Sequence, residues 1–310
     1  MRILNSEQLY LAVTRKQALD TTFGQIDHGK LFMPEHLTQL YHTPGYTLLS
    51  DKQKLRYNQL FAMRSIEQLM TLEAKFIALV LKKTKKSNEI NRDKQLVYCM
   101  REMAGEEQQH YRMFSRINRQ AEPRIYQDQE MYFARFGTLE NLALSGLIYL
   151  PGINLFLLWM LLILEEFSTY ISTAMIKEAR LSADSYESNF VKVHREHLKD
   201  ETRHVNICAN LISTLMCKSA QPLIHLNTFL LRKFMHDYMT PKRGGLRVIE
   251  HLCSEFPELQ ATKNALIDSI RAQKQDSVIL KAIQDPAGMP CSHALFLQYP
   301  GFRFYDSSYV

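Results

Sequence analysis

Apolar residues along this chain recur at intervals of three and four, the spacing of one buried face of an α-helix. From about Ser50 to Leu81 the series Leu55, Leu60, Ile66, Leu69, Leu72, Phe76 and Leu79 predicts one long helix, with Glu73 in its midst. Ser50 and Asp51 stand where its N-terminal caps belong. A second helix is predicted over 91–118, carrying Leu96, Met100, Met103, His110 and Phe114, and Pro123 closes that region. A third pattern runs from about Asp128 to Pro151. The next helix, 151–181, opens inside a run that is apolar on every side, Leu147–Leu164. Ser182 and Asp184 offer the cap of a further helix over 184–216. Beyond Pro222 the pattern weakens into shorter helices at about 222–239, 243–253 and 257–284. The remainder, 285–310, reads as an irregular tail rich in Pro and aromatic residues.

Composition sharpens this outline. Only 11 Gly and 10 Pro punctuate 310 residues, which favours long helices over a sheet that turns every few residues. At 46% hydrophobic and 23% charged, the chain is neither a disordered tail nor a disulfide scaffold. The net charge of +6 is spread along the chain. Its one dense cluster, Lys82, Lys83, Lys85 and Lys86, has no interleaved aromatics and reads as a solvated loop, so no nucleic-acid partner is expected. Five cysteines without a C-x-x-C pair suit free thiols in a reducing cytoplasm. Pro151, Gly152 and Asn154 interrupt the Leu147–Leu164 run, and it leads into Glu165 and Glu166. It is therefore expected to be buried in a bundle and not to span a membrane. No glycine-rich phosphate loop and no G-x-S-x-G elbow occurs.

The chemistry is carried by two E-x-x-H pairs, Glu107/His110 and Glu201/His204. A spacing of three puts both side chains of a pair on one helical face. Composition alone would give about 0.7 such pairs by chance, so their setting decides the matter. Each pair lies in mid-helix, and each follows another long helix with a glutamate among apolar residues, Glu73 before the first and Glu166 before the second. One Glu from each of two helices and a Glu-x-x-His from each of two others form the ligand set of a di-metal carboxylate bundle. Carboxylates and imidazoles without thiolate suit iron, with manganese as the other candidate. Glu166 follows about eighteen mostly apolar residues, where a lone carboxylate is costly to bury. Spacing leaves Glu165 open in its place, and Glu106 beside Glu107 has only Gln109 three residues on. His197 lies four residues before Glu201 and shares its face with His204. His194 is further along the axis and reads as supporting or structural. Asp200 could orient a ligating histidine.

The run HLKDETRH (197–204) resembles the signature of the di-iron arylamine N-oxygenases, the p-aminobenzoate N-oxygenase type. The segments LYHTPGYTLLSDKQKLRYNQL (40–60), GEEQQHYRMF (105–114) and LEEFSTYIS (164–172) agree with it. The resemblance, which spans about residues 40–216, implies a ferritin-like all-α bundle over about 50–216; the chain as a whole reads as a single domain 1–310 whose residues 217–310 form an extension. It implies the ligands Glu73, Glu107, His110, Glu166, His197, Glu201 and His204, with His197 as an additional histidine, and it favours Glu166 over Glu165. The implied cofactor is two iron ions, and the implied reaction is oxidation of an amine nitrogen by O2, through hydroxylamine and nitroso stages toward nitro. With no flavin or nicotinamide motif in the chain, electrons must come from a separate donor or reductase. Phe76, Met103, Phe167 and Met175 stand where they could line an apolar substrate pocket, although each equally suits plain core. The ligand set alone leaves room for a di-iron oxidase acting on carbon or a ferritin-like iron-handling protein. A homodimer is compatible with the sequence.

Overall fold

The computed structural model describes residues 3–71, 76–134, 146–239, 243–273 and 277–304. Among them no β-strand forms, and the one extended pairing is an isolated bridge between Leu31 and Tyr186. After α1 (Ser6–Thr14) come α2 (Asp51–Thr71), α3 (Ala78–Thr84), α4 (Asn88–Arg92), α5 (Lys94–Ala121), α6 (Asn154–Leu181) and α7 (Ser188–Met216). A C-terminal group follows: α8 (Gln221–Met239), α9 (Arg243–Glu255), α10 (Lys263–Arg271), α11 (Ser277–Gln284) and α12 (Pro290–Gln298). The fold is an all-α, ferritin-like bundle.

Several boundaries differ from the sequence pattern, each for a local reason. The helix expected over 50–81 is represented by α2 and α3, with Phe76–Ile77 wound as a π turn. Glu73 lies outside the described residues. The side-chain oxygen of Gln53 accepts the Ser50 N–H at 2.9 Å and closes the start of α2. The α7 helix begins at Ser188 because Glu187 is its cap, its carboxylate accepting the Phe190 N–H at 2.9 Å. Ser182 instead stands at the start of a short 3-10 turn, Ala183–Ser185, with Asp184 inside it. Residues 128–134 are not helical. Buried Glu67 holds this stretch, accepting the Ala134 N–H at 2.7 Å and the Tyr126 hydroxyl at 2.6 Å. The rest of that expected pattern, 135–145, lies outside the described residues. In place of a single helix over 257–284 the chain forms a 3-10 turn, α10 and α11. The expected irregular tail contains α12.

The apolar run ends up inside the protein. Every side chain from Leu155 to Ile163 is buried. The helix is long and apolar enough to cross a membrane, yet protein covers most of that stretch. Gly152 turns the chain into α6 with φ at 75°, a left-handed position that side chains resist. Asn227 of α8 then supplies the cap that α6 lacks, accepting the Phe156 N–H and donating to the Gly152 carbonyl, both at 2.7 Å. Trp159 stacks on Phe296 of α12 and on Phe302, with centroids 5.1 and 5.0 Å away.

Two apolar clusters set the helix directions. Met100 and Met103 of α5, Leu158 and Leu162 of α6, and Ile207 and Leu211 of α7 belong to one cluster. Phe114 and Ile117 of α5, Met175 of α6, and Phe190 and Val193 of α7 belong to the other. Since α7 meets them in the reverse order, it runs antiparallel to α5 and α6. In between, the same three helices bury a polar layer: Glu106, Glu107, His110, Glu165, Ser168, Ser172, His194, His197, Asp200, Glu201 and His204.

Candidate metal centre

Burial of so many ionisable groups at mid-bundle is costly unless each is paired or coordinates a metal. Glu107 and His110 on α5 meet Glu201 and His204 on α7, and one donor atom from each lies within 4.8 Å of the others. The antiparallel crossing produces this meeting, because each E-x-x-H faces the other in reverse. His204 Nδ1 is 2.8 Å from Glu107 Oε1 and 3.3 Å from Glu201 Oε1. His110 Nδ1 is 3.4 Å from Glu201 Oε1 and 3.6 Å from Glu107 Oε2. His197 extends the group, its Nε2 lying 3.1 Å from Glu201 Oε1.

The outer nitrogens of the two E-x-x-H histidines are held in matching ways. His110 Nε2 lies 3.2 Å from Asp200 Oδ2, and His204 Nε2 lies 2.8 Å from Glu106 Oε2. In each case the residue just before the Glu of one motif reaches across to the histidine of the other. Arg203 bonds both of these carboxylates, and Lys16 lies 3.3 Å from Glu106. Burial works against ionisation of Glu106 and Asp200. Bonds to the histidines and the nearby guanidinium outweigh it, so both stay below the usual carboxylate range.

On α6 the two adjacent glutamates part company. Glu165 is buried at the cluster, where burial and then the charges of Glu107 and Glu201 push its carboxyl well above the ordinary range. Glu166 is also buried but faces away. Its two oxygens accept the backbone N–H groups of Cys291 and Ser292 at 2.6 and 2.7 Å, in the first turn of α12. The expectation that Glu166 faces the cluster is therefore corrected: its carboxylate is committed to a helix N-terminus, where N–H groups lack intrahelical partners.

The inner atoms fit a metal in kind. Both oxygens of Glu107, Glu165 Oε1, Glu201 Oε1, and Nδ1 of His110 and His204 are buried without a well-directed hydrogen bond. Such groups are rare in native proteins and call for a partner. They are carboxylate oxygens and imidazole nitrogens throughout, the donor types that suit iron or manganese. The carboxylates raise His110 to about 10 and His204 well above the ordinary imidazole range, although burial opposes both shifts.

Of the residues expected from sequence, the structure brings together Glu107, His110, His197, Glu201 and His204. Asp200 does orient a histidine of the cluster. Glu106 plays the equivalent part, and its signal in the sequence is the acid that precedes Glu in both motifs, EEQQH and DETRH. Phe76, Met103 and Met175 are buried in the apolar clusters, and Phe167 packs against both. Phe114 was placed only by its helix pattern, and its ring centroid lies 5.1 Å from that of His197.

A comparison with curated proteins finds no match to the chain. The family model of the p-aminobenzoate N-oxygenase AurF does match it, over residues 20–241, a stretch that includes the whole buried cluster, and the chain belongs to that family.

Proposed function

We propose that this protein is a non-haem di-iron oxygenase that uses O2 to oxidise the nitrogen of a small aromatic amine toward the hydroxylamine, nitroso and nitro levels. The observation that carries this reading is the convergence of two E-x-x-H motifs in a buried layer with orphaned inward donors. The proposed ligands are Glu107, His110, His197, Glu201 and His204, with Glu165 in the place that the resemblance gave to Glu166. Glu73 keeps the place that the sequence pattern gives it. Two irons bound by this set supply activation of O2, with electrons delivered by a separate donor or reductase.

The chain's own residues prepare the centre. Asp200 and Glu106 accept from Nε2 of His110 and His204, so Nδ1 is the ring nitrogen that each would offer to a metal. Arg203 offsets the charge of those two acceptors. The Ser168 hydroxyl lies 3.3 Å from Glu201 Oε2, so Oε1 is left to the cluster. Phe114 and the adjoining apolar clusters exclude water from the layer. The five free cysteines fit a cytoplasmic setting. The test is anaerobic loading with Fe2+, addition of O2 with an electron donor and a panel of arylamines, and product analysis. N-oxidised products at two irons per chain are expected. Oxygen uptake with carbon-oxidised products only, or with none, would overturn the assignment.

A further inference from the structure

Each histidine of the cluster has its second ring nitrogen held, but the third is held differently. The Ser172 hydroxyl on α6, fully buried, lies 3.2 Å from His197 Nδ1 and 2.9 Å from Nδ1 of buried His194. A hydroxyl carries one proton, so Ser172 donates to one ring and accepts from the other.

The geometry points to Ser172 and His194 as positioning residues that set the tautomer and ring plane of His197. The inference rests on the di-metal reading above. In the metal-ready arrangement His197 Nδ1–H donates to Ser172 Oγ, and the Ser172 hydroxyl donates to His194 Nδ1. His197 Nε2 then presents its lone pair to the cluster, on the side where it lies 3.1 Å from Glu201 Oε1. In the reverse arrangement each hydrogen bond runs the other way, and His197 Nε2–H donates to Glu201. The two differ only in where the same three protons sit, so the chain can follow arrival of a metal without a change in net charge.

The contrast with the other two histidines gives the device its meaning. His110 and His204 are backed by carboxylates, which strengthen an imidazole as a donor. His197 is backed by the Ser172 hydroxyl and, behind it, by the ring of His194. A neutral hydroxyl thus stands behind His197 where carboxylates stand behind the other two.

The experiment uses the full chain loaded with Co2+, whose paramagnetism shifts imidazole N–H protons out of the NMR envelope. Wild type should bind two Co2+ per chain and show three exchangeable, shifted imidazole N–H signals. Ser172→Ala should keep the metal and two of the signals, while the third moves or is lost to fast exchange. Ser172→Thr, which retains the hydroxyl, should restore it. His194→Phe tests the chain from its far end and should perturb the same signal alone. If Ser172→Ala leaves all three signals in place, or if Ser172→Thr behaves like Ser172→Ala, the inference is overturned. A wild type that takes up no Co2+ would sink the di-metal reading, and this inference with it.

Discussion

The two adjacent glutamates of α6 make opposite predictions under the same isosteric change. Glu166→Gln keeps one carbonyl oxygen, which can accept one of the Cys291 and Ser292 N–H groups, but its NH2 faces the other donor to donor. One buried N–H orphaned in this way costs about 1–3 kcal/mol. The apoprotein should therefore lose about 2 kcal/mol of unfolding free energy, while iron per chain stays at the wild-type level. Measurement at about pH 8 keeps Glu166 ionised, since burial lifts it only to about 6 against the pull of the two N–H bonds and the Ser292 side chain. Glu165→Gln should do the reverse. Burial, and then Glu107 and Glu201, hold its carboxyl well above the ordinary range, so a neutral amide in its place should leave the apoprotein unchanged or slightly more stable. It should nevertheless weaken iron binding by at least about tenfold. Urea unfolding of metal-free protein, with iron analysis after dialysis against a weak chelator, reads both effects. Iron loss in Glu166→Gln with unchanged apo stability, together with full iron in Glu165→Gln, would refute the assignment of the two side chains.

Four further outcomes can be measured, three at the cluster and one at Glu255 on α9. His204→Ala should deplete one metal per chain, because it removes half of an E-x-x-H pair. His197→Ala should instead keep substantial iron but lose most amine oxidation, so a wild-type turnover rate in that variant counts against the N-oxygenase reading. Glu106→Gln and Asp200→Asn should each lower metal affinity by roughly 10–100-fold without unfolding the protein; competition with a chelator of known affinity checks this, and unchanged affinity in both would remove the orienting role. Glu255 is buried enough to resist ionisation, but Arg56 and His251 outweigh that and hold it at about 2. A lowered carboxylate stabilises above its unfolded value of about 4.5 and loses that contribution as pH falls toward 2. The stability gap between wild type and Glu255→Gln should therefore close over that window, and a gap that persists at about pH 2 contradicts the pairing.

The bundle was legible because its evidence is local. Threefold and fourfold apolar spacing marks α5, α6 and α7 to within a few residues, and sparse Gly and Pro exclude frequent turns. Cues that depend on distant partners were not legible. Nothing near Asn154 shows that Asn227, on another helix, caps α6. Nothing near residues 285–310 announces α12, since its first turn is completed by Glu166, more than a hundred positions earlier. Glu187 caps α7 although the sequence points to Ser182 and Asp184, because serine and aspartate cap helices more often than glutamate does.

The cluster shows the same divide in three pairs of neighbouring acids: Glu106–Glu107, Glu165–Glu166 and Asp200–Glu201. Adjacent residues on a helix point about 100° apart, so a pair can serve the buried centre and a neighbouring helix at once. In the first and third pairs a histidine three residues on identifies the inner member, and the outer member is free to reach the opposite histidine. The α6 pair has no such marker. Glu165 is followed at three and seven by Ser168 and Ser172, Glu166 at the same spacing by Thr169 and Thr173, and either stripe could have lined a polar layer. Packing decides it. The Ser168–Ser172 face, continuing to Met175, is buried against α7, while Thr173 is exposed. That rotation of α6 turns Glu165 toward Glu201, brings Ser172 to His194 and His197, and leaves Glu166 to close α12. One rotational phase thus sets a proposed ligand, the hydrogen bonds behind His197 and the seat of the C-terminal helix, which is why a change at Glu166 should be felt in stability and a change at Glu165 in metal.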